Sequence, residues 1–342
     1  MSLSALPYST LPILDLHQLG GTSAQRDTFV QHLRLAAQQF GVFYIMGHGI
    51  TTADIEKIFA LSRQFFALPN AEKQAIGMIH SQHFRGYTAS GHELTRGQPD
   101  WREQFDVWSE RPALPNLTHF PSWSCLQGPN QWPTSLPTLR PTLLGWQALL
   151  TEIGTRLLHA IALALHQPME IFNTMLYPDP VQHMKIIRYP GAFTPHQQGV
   201  GAHKDSGLLT LLLQDQQTGL QVETHNGWID IPPVPGTLIV NMGEALELLS
   251  QGYLRAALHR VIRPPSEQDR LSMAFFLCPR LDVTLTPLTL PTHLIPDARG
   301  PENDPENPLF YQVGTNLLKG RLRSHPDVAQ RYYPDLSLFR TT

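Results

Sequence analysis

A chain of 342 residues is long enough for one large domain or two ordinary ones, a typical domain having roughly 100–200. Its 25 basic and 28 acidic residues leave a formal charge of −3, which gives no electrostatic case for binding nucleic acid or an anionic membrane. Two cysteines, Cys125 and Cys278, are too few for a disulfide framework, and no run approaches the ~18 apolar residues of a spanning helix.

The first ten residues lack the basic and apolar stretches of a secretory signal, so a soluble, cytoplasmic protein is expected. Thirty prolines spread along the chain argue against a long helical bundle and for loops and short strands. Leu11–Leu16 is short and apolar, with Pro12 suiting an edge strand. Residues 24–40 carry a helical stripe of Phe29, Leu33, Ala36, Ala37 and Phe40. A β-rich run, Val42–Met46, is closed by Gly47-His48-Gly49. A second helix is expected from about Thr52 to Leu68, capped by Thr51 or Thr52 and stopped before Pro69.

Periodicity fades from His80 to Pro141. Prolines and Trp101, Trp108, Trp123 and Trp132 there suggest a long loop region packed by aromatics, of the kind used as lids or binding walls. Helix returns at about 142–166 on a broad apolar face. After Pro178 the pattern turns to short strands at His183–Tyr189, Leu208–Leu213, Leu220–Glu223, Trp228–Ile231, Thr237–Asn241, Leu258–Arg263 and Leu271–Leu277, divided by turns such as Asn226-Gly227. Strands of this number and length fit a sandwich or jelly roll. The expected class is α+β: a distorted jelly-roll core with N-terminal helices packed around it. Residues 1–140 would form a mixed region with substrate-facing loops, 141–285 a helix and the jelly-roll core, and 286–342 a covering loop and helix, all one structural unit.

The strongest chemical feature is His203-Lys204-Asp205, with His259 following 54 positions after Asp205. Side chains on a strand alternate faces, so His203 and Asp205 point the same way. Two imidazoles and a carboxylate leave open positions on a metal, as in non-haem Fe(II) oxygenases, although the same donors accept Mn, Co, Ni or Zn. His325-Pro326-Asp327 repeats the spacing but reads as a helix start, with Asp327 in its first turn. Alternation in Arg270-Leu271-Ser272 puts a guanidinium and a hydroxyl on one face, a good carboxylate receptor. Phe276 shares that face and is placed either in a pocket wall or in the core. Arg85 is placed either at a substrate or in a surface pair. His183 and His196 lack ligand spacing. No Gly-Lys-Ser/Thr follows Gly49 and no Gly-x-Ser-x-Gly occurs, so a phosphate loop and a nucleophile-elbow hydrolase lack support.

These residues, in order, resemble the isopenicillin N synthase-like branch of the Fe(II)- and 2-oxoglutarate-dependent oxygenases. The resemblance runs through Gly41–Ile50, Arg85-Gly86-Tyr87, Asp100-Trp101-Arg102-Glu103, His203–Asp215, Gly219–Val222, Pro232–Gly236, Asn241-Met242-Gly243, Leu258–Val261 and Arg270-Leu271-Ser272. It implies a distorted double-stranded β-helix with iron held by His203, Asp205 and His259. It also implies a 2-oxoglutarate whose far carboxylate meets Arg270, Ser272 and the Tyr189 hydroxyl. Dioxygen would take the last metal position, and a small molecule would be oxidised with release of succinate and CO2. A monomer is expected. Two positions depart from the pattern. Ile187 stands where plant members carry an asparagine, so that Arg188-Tyr189-Pro190 is more similar to isopenicillin N synthase, an oxidase that uses no 2-oxoglutarate. Glu244 stands where many relatives have aspartate. The rival readings are such an oxidase, ethylene formation, or a catalytically silent ligand-binding protein on the same fold.

Overall fold

The structure, a computed structural model, describes residues 11–191, 198–262, 267–302 and 304–336. His196 and Arg263 lie outside them. The first third supplies β1 (Ile13–Asp15), β2 (Val42–Met46), β3 (Gly86–Thr88), the short pair β4 (Leu94–Thr95) and β5 (Gln98–Pro99), and β6 (Glu103–Val107). Then come β7 (Val181–Tyr189), β8 (Val200–His203), β9 (Leu209–Gln214), β10 (Leu220–Thr224) and β11 (Gly227–Asp230). The last strands are β12 (Leu238–Met242), β13 (His259–Val261) and β14 (Arg270–Cys278). The helices are α1 (Ser23–Gln39), α2 (Thr52–Phe66), α3 (Asn70–Ala75), α4 (Leu139–Ala164), α5 (Asn173–Leu176), α6 (Glu244–Leu249), α7 (Val313–Ser324) and α8 (Pro326–Tyr332).

An eight-stranded sheet has the order β1-β2-β12-β9-β14-β7-β6-β3, and a four-stranded sheet has the order β11-β10-β13-β8. The alternation of β14 shows how the two are layered. Met273, Phe275 and Leu277 join Phe29, Leu33, Leu150 and Leu157 of α1 and α4 in the main core. Ala274 instead joins Val200, Leu220 and Val222 of the small sheet, with Phe276 packed against that cluster. Helices therefore cover one face of the large sheet and the small sheet closes over the other, the jelly-roll arrangement expected. The ends of α1 and α2 carry the local signals of the sequence: Thr22 with Gln25 and Thr51 with Asp54 form capping boxes.

The 80–141 region differs from the expected loop, because β6 and β3 extend the large sheet at its edge. The reason is burial of both faces of β6 with polar residues on each. Glu103 pairs with Lys73, while Gln104 bonds Asp106, so the apolar alternation shrinks to Phe105 and Val107, too short to mark a strand. Among other elements outside the expected set are β8, α6 and α7, and all three line the site. Among the described residues no helix is long and apolar enough to cross a membrane.

Candidate active site

His203 ends β8 and His259 begins β13, and the two strands pair with these residues directly opposite. Register thus brings together imidazoles far apart in the sequence, their ring centroids 4.3 Å apart. Asp205 follows β8 by two residues, and its Oδ1 lies 3.6 Å from the Nε2 of both histidines. Among the described residues this is the one group of three whose donor atoms all fall within 4.8 Å of one another.

The remaining atoms of the three side chains are committed elsewhere. His203 Nδ1 sits 2.9 Å from the Gly201 carbonyl and His259 Nδ1 2.9 Å from the Ala257 carbonyl. Each ring therefore donates its Nδ1 proton to backbone and turns an Nε2 lone pair inward, the tautomer a metal requires. Asp205 Oδ2 accepts from Thr210 Oγ1 at 2.6 Å and from Asn241 Nδ2 at 3.3 Å, leaving Oδ1 to the histidines. Burial alone would raise the Asp205 carboxyl, but His259, His203 and Thr210 outweigh it and hold the group well below the carboxylate range. The inward-facing donors are thus one carboxylate oxygen and two imidazole nitrogens, a set that fits a divalent transition metal.

The loop carrying Asp205 is clamped by the start of α6. Glu244 N donates to Asp205 O at 2.7 Å and Gly243 N to Leu208 O at 2.9 Å. This approach needs the bare backbone of Gly243, where an added Cβ would lie 2.0 Å from the Gly207 carbonyl oxygen. Glu244 itself faces the adjoining cavity.

Arg270 begins β14 opposite Tyr189 on β7, its guanidinium 4.9 Å above the tyrosine ring. It is fully buried, bonds Gln214 Oε1 at 2.6 Å and Ser272 Oγ at 3.5 Å, and leaves Nε without a partner. A buried guanidinium with an orphaned N–H fits a carboxylate ligand. Against burial, Glu93 first and then Tyr189 favour the charged Arg102 guanidinium, and Arg102 reaches the cavity wall. Ile187, where an amide was missing, faces Gln104 across β6, whose Oε1 has no partner.

A cavity of about 510 Å³ opens from His203 and Asp205. Phe276 lies in its wall, stacked on His183 with centroids 5.0 Å apart, and His183 in turn stacks on Trp108 at 4.4 Å. Arg85 lies outside the cavity wall. It is buried over Trp108 at 4.6 Å and donates to the carbonyls of His83 and Leu126. Sequence reasoning missed the charged side of the cavity: Glu93, Arg102 and Lys185 from the sheet region and Arg321 from α7. Alternation along β7 placed Lys185 with Tyr189, and was the one signal available for it.

Residues 11–135 match the family described as the non-haem dioxygenase in morphine synthesis N-terminal region, and residues 180–279 match the 2OG-Fe(II) oxygenase superfamily. The 2-oxoglutarate-dependent dioxygenase frbJ of Dothideomycetidae sp. is 32% identical over 351 residues, covering 97% of this chain and 94% of that one. The chain belongs to the 2OG-Fe(II) oxygenase superfamily. A homoarginine-6-hydroxylase of Arabidopsis thaliana is 35% identical over 311 residues, spanning 86% of this chain and 92% of its own. The fold is shared with a full-length Neurospora crassa protein solved with alpha-KG and thymine, at a TM-score of 0.73 and 23% identity over 92% of this chain and 99% of that one. The protein is a 2-oxoglutarate-dependent dioxygenase that uses Fe(II), 2-oxoglutarate and dioxygen. Neither the oxidase reading nor the silent-binder reading is favoured by these relatives.

Proposed function

We propose that His203, Asp205 and His259 hold the iron, that Arg270, Ser272 and Tyr189 receive the far carboxylate of 2-oxoglutarate, and that the enzyme hydroxylates a C–H bond of a small, charged, amino-acid-like molecule. The observation that carries the metal assignment is the paired register of His203 and His259 with one Asp205 oxygen 3.6 Å from each Nε2. The balance is one O2 and one 2-oxoglutarate consumed with the substrate C–H. One oxygen atom goes to the new hydroxyl and the other to succinate, with CO2 released. When bound, the iron and its co-substrates supply the oxidising power, and the chain's part is to hold, orient and select.

The substrate class draws on two supports. The cavity wall is lined by buried side chains of both charges, which suit a polar, charged molecule rather than an apolar one. Relatives in Arabidopsis, soybean and rice, 32–35% identical over 82–86% of this chain, are named homoarginine-6-hydroxylases. Arg188-Tyr189-Pro190 and the Arg270-x-Ser272 pair support placement in the isopenicillin N synthase-like branch. The proposal includes a monomer working in the cytoplasm; size-exclusion chromatography and cell fractionation check these two points. The unit reading of 1–140, 141–285 and 286–342 is supported by β2 and β6, which lie in the same sheet as β7 and β14.

The test is succinate release from the iron-loaded protein across a panel of L-amino acids, with L-homoarginine, L-arginine and L-lysine included. At least one member should stimulate release and gain 16 mass units (about one oxygen atom). No stimulation by any amino acid would overturn the substrate class. Retained turnover in His259→Ala, at measured iron content, would overturn the metal assignment.

A further inference from the structure

The charged wall of the cavity holds more positive than negative charge, and one of its cations has no close partner. On that wall Arg102, Lys185 and Arg321 stand around Glu93, with Arg85, Asp100 and Asp106 buried behind them. His183 adds no charge, since burial lowers its pKa to about 3 despite the bond to Asp106. The carboxylates are already engaged. Glu93 takes Lys185 at 2.9 and 3.2 Å and Arg102 at 2.7 Å. Asp106 takes His183 at 2.7 Å and Gln104 at 2.7 Å, and Asp100 takes Thr95 at 2.7 Å and the Gly201 N–H at 3.2 Å.

Arg321 is left with long contacts: 3.5 Å to Asp106, 3.4 Å to His325 and 3.7 Å to Glu93. Its side chain is 15% exposed and lines the cavity. Arg102, on the same wall, keeps a buried Nε with no partner. Metal and co-substrate do not remove this surplus. The metal brings charge of the same sign, and in the proposed reading 2-oxoglutarate places its two carboxylates at the iron and at Arg270.

We infer that the substrate carries a carboxylate, and that this group docks on Arg321 of α7 with Arg102 beside it, in the cavity that opens from the metal site. A guanidinium fork binds both oxygens of a carboxylate, so the contact fixes direction as well as place. The C–H to be oxidised is then the one whose distance from the acid group matches the span from α7 to His203 and Asp205. Arg321 becomes the specificity-determining residue, and Lys185, held by Glu93, sets the field behind it. The inference rests on the proposed reaction only for the role given to 2-oxoglutarate.

The experiment uses full-length protein loaded with Zn(II) and saturated with 2-oxoglutarate, so that no turnover occurs. Thermal shift and calorimetry then compare acid and carboxamide pairs: L-homoarginine and its amide, L-arginine and its amide, and phenylacetate and its amide. At least one acid should bind at least 10-fold more tightly than its amide. Arg321→Gln should weaken that acid roughly 10- to 100-fold and leave the amide unchanged, with Arg321→Lys between them. Affinity for 2-oxoglutarate should stay within about twofold in both variants, a change too small to reflect a lost charged contact. Equal binding of every acid and its amide overturns the inference, as does an Arg321→Gln protein that keeps full affinity for the acid. A loss of 2-oxoglutarate affinity in Arg321→Gln also overturns it, by assigning the wall to the co-substrate. If phenylacetate alone binds through Arg321, the carboxylate site stands and the amino-acid reading of the substrate fails.

Discussion

Asp205 divides its two oxygens between tasks, and the division sets what single substitutions should do. Oδ1 faces the imidazoles while Oδ2 is held by Thr210 and Asn241. Thr210→Val keeps the shape of the strand residue but removes the 2.6 Å bond, so metal affinity should fall about 10- to 100-fold, measured by Co(II) titration. Unchanged affinity would reduce Thr210 to strand packing. Arg270→Ala should raise the 2-oxoglutarate Kd roughly 10–150-fold, from ~1.5–3 kcal/mol for a charged hydrogen bond, with Fe(II) content intact. An anaerobic charge-transfer band on adding 2-oxoglutarate reads this directly, and succinate, lacking the keto group, should give none. His203 with Asp205, and Arg270 with Ser272, were legible because period-two spacing puts both members of each pair on one side, although β8 itself was not an expected strand. Arg321 was not, because an arginine near other arginines in a C-terminal helix reads as solvated surface.

At the scale of elements, the contact between the α6 start and the metal loop tolerates little change. Gly243→Ala would drive a methyl to 2.0 Å from the Gly207 carbonyl, a contact the two backbones relieve only by separating. Overpacking of this kind costs ~1–3 kcal/mol. The variant should therefore melt earlier and also bind Fe(II) more weakly, because Asp205 moves with the loop. Normal metal affinity in a destabilised Gly243→Ala protein would uncouple the two. The strand β10, with one apolar face, and β12, a continuous apolar run, were readable from sequence. The strand β6 was hidden because Glu103, Gln104 and Asp106 are buried by pairing with other polar groups rather than by apolar contact. Polar burial leaves only the two-residue apolar alternation of Phe105 and Val107 to detect, and it is also what a charged cavity needs.

For the whole molecule, the buried charges make stability depend on pH on the acid side. His183 titrates near 3 in the fold because burial disfavours its charged form, against an ordinary 6.5. Between those values the unfolded chain binds a proton that the folded one does not, so stability falls as pH falls, by about 1.4 kcal/mol per unit. Asp106 and Glu93 are held below their ordinary range by Lys185 and its neighbours, despite burial. Their contribution is present above about pH 4 and is lost as pH drops toward their folded values. Urea unfolding at pH 7.0, 6.0 and 5.0 (roughly spanning the upper half of the histidine window) should show a steady loss. His183→Gln keeps a donor for Asp106 and should flatten that slope; an unchanged slope would place its origin elsewhere.

Because β8 and β13 pair with His203 opposite His259, the metal ligands are aligned by hydrogen-bond register rather than by sequence distance. Deleting Arg260 would shift β13 by one residue and turn its side chains to the wrong face. By contrast, the His225-Asn226 turn joins β10 to β11, and β11 is the outer strand of the small sheet. A tag, a tether or a second enzyme could be grafted into that turn while the iron stays bound, making it the natural handle for immobilising this catalyst.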